Sequence, residues 1–419
     1  MPTNGLMRGL LRAVLGDKVL KTSALMAVAA VAAQLVGVAN WAALTYLFEN
    51  KEDLGLYVVL LSYVPMLQLA ALLGYDLALP NISDEDFPSL LLACIVILIL
   101  VSFAVYGASE FFSYPFALPL GVLLIARGFG RIGEMVNTRL EQFTLMALAR
   151  VARPFSIAVI LVASFLVGGL GIRDFVIWVA SGELIFSVFY MLISFRKVSF
   201  SRGSFSGARS LLRAHASNPL IVMPSTMMNS VAYNLPTILI EKFMGGALAA
   251  QYGIVLRFCC APLNLLGGSI STVFHGKIAK ARRAKVRGSM LEEIRRLRIM
   301  LVVFGLVACV GIAIGFPIFS NYILKGDWSD ARQFTYLLLP LFFVMVAVAP
   351  LTSAFIVFDE KKYLFLNQLS YLIISLASFG LGLAINNLLV GIGVFSALSI
   401  IRYLFINVRL GQVLRRELG

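Results

Sequence analysis

Twelve apolar segments, each long enough to cross a bilayer, fill most of this 419-residue chain. A spanning helix takes about 20 mostly apolar residues. In lipid every backbone N–H and C=O must be satisfied within its own segment, so such spans are helices. The only other spanning structure, a β-barrel, alternates apolar and polar residues, and runs such as Leu90–Val105 do not alternate. The spans fall at about 24–47, 55–75, 88–108, 115–137, 145–168, 174–195, 218–240, 247–273, 299–321, 333–357, 363–384 and 388–409. Charged residues make up only 13% of the chain, and mean hydropathy is +0.92; a soluble domain carries about twice that charged share. The fold class is therefore all-α, a polytopic membrane protein. The fourth and fifth spans are the least regular, because Arg127, Arg131, Glu134 and Arg139 interrupt them. Ala24–Ala33 imitates a signal cleavage site, but the apolar run continues to Leu47, which predicts an uncleaved first helix.

Basic residues gather on the cytoplasmic side of membrane proteins. With the N-terminus inside, the outer loops hold only Lys51, Arg173, Lys242, Lys325 and Arg332, and Arg127, Arg131, Arg257 and Arg402 lie within spans. Inside segments, with the span ends that join them, carry 26 of the 35 Lys and Arg. Both termini are thus expected in the cytoplasm. One inner loop, Asp76–Phe87, holds Asp84, Glu85 and Asp86 without a basic residue. The net charge of +14 is mostly this topological signal, with anionic lipid headgroups as a second use, and it implies no nucleic acid. Cys94, Cys259, Cys260 and Cys309 fall in spans and read as small buried hydrophobes. His215 and His275 stand 60 positions apart, so neither a metal nor a cofactor is expected.

The outer loops are too short for a folded domain, which argues against an enzyme that holds a reacting chain outside the membrane. Four parts are expected: an interfacial segment at 1–23, a six-helix bundle at 24–195, a cytoplasmic linker at 196–217 and a second six-helix bundle at 218–419. In the first part, Arg8 and Arg12 flank a stripe of Leu6, Leu10, Val14 and Leu15. A weak repeat supports the two bundles: L-G-L-Y-V-V-L-L-S around Tyr57 and A-A-Q-Y-G-I-V-L-R around Tyr252, offset by 195 residues. Repeated halves with a site between them are common in secondary transporters, so two bundles around a central cavity are expected. The basic run Lys277–Arg298 reads as a topology determinant touching lipid headgroups, or as a platform for an anionic lipid-linked substrate.

Charge inside the spans marks candidate sites, since a mid-membrane Arg costs about 2.5–3.5 kcal/mol on insertion scales and normally faces a cavity or a partner. Arg outnumbers acid there, which favours an anionic substrate over the cationic drugs of an antiporter. Arg257 lies near mid-depth in the eighth span, as a cavity-lining anion contact or the partner of a distant acid such as Glu183. Arg127, Arg131 and Glu134 share one helical face at i, i+4, i+7. Arg131 pairs with Glu134, which leaves Arg127 the freer, or all three form a polar seam against Arg150 and Arg153. Glu183 is a relay for a coupling ion or the partner of a buried Arg. Arg402 reads as inter-helix packing, and Asp76, at a helix end, as a cap or an ion-pair partner at the surface. The seventh span carries Pro219, Pro224 and Pro236, with Asn229 and Asn234 between, as a hinge or a static kink.

Three stretches together resemble the oligosaccharide flippases of bacterial polysaccharide synthesis, within the multidrug/oligosaccharidyl-lipid/polysaccharide exporter superfamily. They are L-G-L-Y-V-V-L-L-S-Y…L-G-Y-D-L-A-L from Leu54 to Leu79, N-T-R-L-E-Q-F-T-L-M-A-L-A-R-V from Asn137 to Val151, and Asn218 through N-L-P-T-I-L-I-E-K-F-M-G and Q-Y-G-I-V-L-R-F to Ala261-Pro262. The resemblance spans nearly the whole chain. It implies translocation of an undecaprenyl-pyrophosphate-linked oligosaccharide across the bacterial inner membrane by alternating access, with Arg257, Arg127 and Arg131 toward the substrate. Membrane lipids are implied partners, a set that could extend to polysaccharide polymerase and chain-length proteins. The acidic Asp84–Asp86 departs from the basic turn such a family would place there. A multidrug or cation antiporter of the same superfamily, or a membrane enzyme of polysaccharide assembly, are the alternatives.

Overall fold

A computed structural model describes residues 18–418 apart from 49, 81, 197, 199–204, 217, 261, 264–266, 269, 272–273, 276–277, 279–288 and 359. The stripe around Arg8 and Arg12 and six of the nine basic residues of the Lys277–Arg298 run lie outside the described residues. The described chain is all-α, with no strand. Its helices are α1 (Lys18–Leu47), α2 (Lys51–Ala71), α3 (Phe87–Phe111), α4 (Ala117–Arg139), α5 (Phe143–Leu166), α6 (Ile172–Phe195) and α7 (Phe205–Ala214). They continue as α8 (Met223–Met244), α9 (Gly246–Val255), α10 (Ser289–Tyr322), α11 (Ser329–Val348), α12 (Ser353–Val357), α13 (Lys361–Ala384) and α14 (Leu388–Leu418). Among the described residues nine helices are long and apolar enough to cross a membrane. The other three expected spans coincide with α4, α8 and the helical stretch Gly246–Cys260.

Large apolar side chains lie on the outside. On α10, Val303, Leu306, Val307, Val310 and Ile314 are all exposed, at the three-to-four spacing of one helix face. Such a belt is unstable in water and at home against lipid tails.

The chain divides into two compact units. Unit 1 comprises Met1–Asn40 and Leu67–Met223; unit 2 comprises Trp41–Met66 and Pro224–Gly419. This differs from the contiguous division at 196–217, because the α1–α2 hairpin, 41–66, belongs with the second unit. Each unit has its own core: Leu79, Leu90, Leu98, Ile132 and Val136 in unit 1, and Phe274, Leu301, Phe355, Leu410 and Leu414 in unit 2.

Several ends differ from the sequence expectation for physical reasons. α2 stops at Ala71, where Leu73 and Gly74 adopt positive φ, and a 3₁₀ turn, Tyr75–Ala78, follows. α10 and α14 run to 34 and 31 residues, about 50 and 46 Å at 1.5 Å per residue, well beyond the roughly 30 Å of hydrocarbon. Pro219 sits in a π-helical turn, Asn218–Val222, and Pro224 in the first turn of α8, so only Pro236 breaks that helix from within. Proline removes its own donor and frees the carbonyl four residues back. Here the freed Ala232 carbonyl accepts a 2.8 Å bond from Ser375 Oγ of α13.

Candidate functional site: an arginine cavity in unit 1 and an arginine pair in unit 2

Small residues let three helices of unit 1 converge on one charged spot. A Cβ on Gly128 would lie 2.2 Å from Leu98 Cδ1 of α3, and one on Gly133 would lie 2.8 Å from Tyr190 Cε1 of α6. The same α4 surface that carries these glycines therefore packs tightly, and the adjoining stripe of Arg127, Arg131 and Glu134 is brought against α5 and α6.

Glu183 of α6 is only 1% exposed and is gripped from two sides. Arg127 Nη2 donates to its Oε1 at 2.8 Å and Arg153 Nη2 to its Oε2 at 2.7 Å. Nearby, Arg131 donates from Nε to Asp76 Oδ2 at 3.0 Å and from Nη1 to Glu134 Oε2 at 3.1 Å. Arg150 reaches Glu134 Oε1 at 3.4 Å. A deeper neutral layer backs the cluster: Asn137 Nδ2 donates to Tyr190 Oη at 2.9 Å and Ser194 Oγ at 2.7 Å.

Part of this cluster walls an open cavity of about 240 Å³ whose lining includes Gln68, Arg127, Arg131, Arg150, Arg153 and Tyr190. The four lining arginines pair with three carboxylates, of which only Glu134 lines the cavity and Asp76 and Glu183 do not, so the cluster carries a surplus positive charge. Each guanidinium offers five donors in a planar fork. Arg153 Nε is buried without a hydrogen-bond partner among the described residues. The arrangement can receive an anion with several oxygens.

Three of the residues singled out in sequence, Arg127, Arg131 and Glu134, thus line one cavity, and a fourth, Glu183, is bonded to its Arg127 and Arg153. Arg127 is not the freer member of its stripe: it is tied to Glu183. Glu183 pairs with two arginines of this unit. Arg153, which the sequence suggested only as part of a packing seam, is an equal partner. Asp76 pairs rather than caps, and it does so in a buried position and not at the surface, where it holds Arg131. The acidic loop also has its counterpart, since Arg139 pairs with Asp84, donates to the Leu79 and Ile82 carbonyls at 3.1 and 2.6 Å, and lies 4.7 Å over the Phe87 ring.

Arg257 belongs to unit 2. It occupies a π-helical turn, Leu256–Cys260, that continues α9; such turns widen the helix and are frequent at functional positions. Its guanidinium lies 4.4 Å from the Trp41 ring centroid, and Nη1 donates to the Gly253 carbonyl at 3.2 Å. A second cavity in this unit, about 220 Å³, is lined by Tyr233, Tyr252, Tyr371, Tyr403 and Arg402 among others. Arg402 is stacked at 4.5 Å over Tyr371 and 4.8 Å over Tyr403, and it donates to Asn367 Oδ1 at 3.0 Å. The packing role expected for Arg402 is therefore joined by a place on a cavity wall. No group of three or more metal-ligating side chains occurs among the described residues.

The fold is similar to that of solved transporters. A lipid II flippase, MurJ, in an inward closed conformation superposes with a TM-score of 0.74 at 15% identity, covering 92% of this chain and 87% of that one. An inward-facing multidrug resistance MATE family transporter of the MOP superfamily gives 0.66 at 13% identity, covering 91% and 95%. A MOP superfamily transporter from Pyrococcus furiosus, described by the reverse polarity of its binding pocket, gives 0.61 at 12% identity, covering 94% and 95%. No protein-family model matches the chain, and no curated protein matches it. The chain accordingly shares the fold of these solved structures.

Proposed function

We propose that the protein is a flippase for an undecaprenyl-pyrophosphate-linked oligosaccharide in the bacterial inner membrane, with both termini cytoplasmic. The observation that carries this reading is the arginine-walled cavity of unit 1. A pyrophosphate must leave water to cross, and only fixed cationic donors replace its hydration at tolerable cost. Arg is suited to this because it stays ionised when partly buried and presents paired donors.

Glu183 has a positioning role in this scheme. Its two oxygens hold Arg127 and Arg153 on one carboxylate, which fixes both guanidinium groups in place before a phosphate arrives. Arg131 and Arg150 widen the same wall. Arg257 of unit 2 supplies a further anion contact, held by the Trp41 ring. Translocation proceeds by alternating access and breaks no bond. A cationic-drug antiporter would require the opposite surplus in this cavity. Polysaccharide polymerase and chain-length proteins would act on the delivered product.

Complementation of surface polysaccharide in a flippase-null strain tests the reading. Arg127→Ala with Arg153→Ala, at normal protein level, should reduce polysaccharide at least tenfold, since each charge-assisted bond is worth about 1.5–3 kcal/mol. Lys at both positions should fall between. Wild-type polysaccharide from the double alanine variant would remove this cavity from the transport path.

A further inference from the structure

α10 and α14 of unit 2 both pass from an apolar to a charged surface. On α10 the exposed Glu292, Arg295 and Arg296 give way to exposed Ile299, Met300 and Val303. On α14 the exposed Phe405 and Val408 give way to Gln412, Arg415 and Arg416. Such a change marks the depth of lipid headgroups, where long basic side chains reach the phosphates.

Arg298 stands at that boundary. It lies on the stretch of α10 where Ile294, Leu297 and Leu301 join the cluster of Leu410, Val413 and Leu414 from α14. Its Nε and Nη2 are buried and have no hydrogen-bond partner among the described residues. Arg415, its charged neighbour, is exposed and in no ion pair among the described residues. The carboxylates at this end are already engaged. Glu360 accepts from Arg409 at 3.1 Å and Arg416 at 3.0 Å, Glu292 accepts from Arg296 at 2.6 Å, and Glu293 also has a partner. In sequence, 279–288 adds Lys280, Arg282, Arg283, Lys285 and Arg287 but no acid.

A buried guanidinium edge beside a second arginine is unfavourable twice, through unmade hydrogen bonds and through like-charge repulsion. An anion between the two relieves both. Nε and Nη2 form the edge of arginine that grips two oxygens of one phosphate side by side. We propose that Arg298 and Arg415 form a phosphate-binding site at the membrane surface of unit 2, filled by the headgroup of an anionic phospholipid. Flanking apolar side chains, such as Ile299 and Phe405, would meet its acyl chains.

The test is native mass spectrometry of the delipidated full chain, titrated with phosphatidylglycerol, phosphatidylcholine or inorganic phosphate. Wild type should retain phosphatidylglycerol about tenfold more tightly than Arg298→Gln, with Arg298→Lys between, and more tightly than it retains phosphatidylcholine. Arg295→Gln, an exposed change on the same helix, should bind as wild type. Equal weakening by Arg295→Gln, or no weakening by Arg298→Gln, would overturn the site in favour of a diffuse basic surface. Millimolar phosphate that expels the lipid and takes its place would overturn the lipid as occupant. In lipid-free detergent Arg298→Gln should melt at or above wild type, because it removes a half-buried guanidinium whose Nε and Nη2 have no partner among the described residues. A lower melting temperature would show that a protein group holds Arg298 and would equally sink the proposal.

Discussion

Glu183 shows how one buried charge can organise a membrane site. Its carboxylate is acceptable at 1% exposure only because two guanidinium groups hold it. Glu183→Gln should therefore destabilise the protein by about 1–3 kcal/mol. That is less than the 3–5 kcal/mol of a fully buried broken pair, since Arg127 and Arg153 side chains are 26% and 31% exposed and can turn toward cavity water. Thermal unfolding in detergent reads this, and an unchanged midpoint would show that the pairs do not contribute. A second carboxylate, outside the spans, gives a pH dependence. Arg409 and then Arg416 hydrogen-bond Glu360 and hold its carboxyl below the ordinary value of about 4.5. A lowered folded pKa adds stability that is present above the unfolded value and is lost as pH falls through the folded one. The melting advantage of wild type over Glu360→Gln should thus be full at pH 7 and shrink below about pH 4.5; an advantage that grows on acidification would refute the pairing. At this scale, sequence spacing reveals which side chains share a helix face, as with Arg127, Arg131 and Glu134. It does not reveal that Glu183 and Arg153, on different helices, complete the set, because those partners are chosen by packing.

At two of the prolines inside helices, Pro236 and Pro317, a side chain from a neighbour supplies what proline removes. Ser375 serves Ala232 beneath Pro236, and Tyr336 Oη donates at 3.4 Å to the Ala313 carbonyl beneath Pro317. Within the membrane there is no water to do this. Ser375→Ala should cost about 1–3 kcal/mol, the penalty of an unsatisfied buried carbonyl. In a Pro236→Ala background the regained N–H can bond Ala232, so the same change should cost about 1 kcal/mol less. Strict additivity of the two changes in unfolding midpoint would contradict this account. The spans themselves were legible because hydrophobic length is a direct requirement of the bilayer. Their ends were not: the charged overhangs of α10 and α14 follow from helix propensity and end pairing rather than from hydropathy. The π-helical turns at Asn218–Val222 and Leu256–Cys260 leave no such signal either.

The two units are not two halves of the sequence, and this has a consequence for assembly. The hairpin of 41–66 is bound into unit 2 at several points. Glu52 Oε2 accepts from the Gly246 N–H at 2.6 Å, and the Lys325 N–H donates to Thr45 Oγ1 at 3.1 Å. The Lys51 ammonium bonds the Asp327 carbonyl and lies 5.0 Å over the Trp328 ring. Helices α2 and α9 approach so closely that a Cβ on Gly55 would lie 2.0 Å from the Gly246 carbonyl oxygen. A repeat of two equal halves, suggested by Tyr57 and Tyr252, cannot reveal that one hairpin of the first half completes the second. A fragment of 218–419 alone therefore lacks part of its core. Expressed by itself it should be degraded or aggregate, and co-expression with 1–217 should restore a stable, detergent-soluble complex. A 1–217 partner carrying Gly55→Leu should fail to rescue it, because the added side chain has no room against Gly246 and the hairpin cannot dock. If 218–419 alone were monodisperse and melted like the full chain, the hairpin would be dispensable and unit 2 would be complete without it.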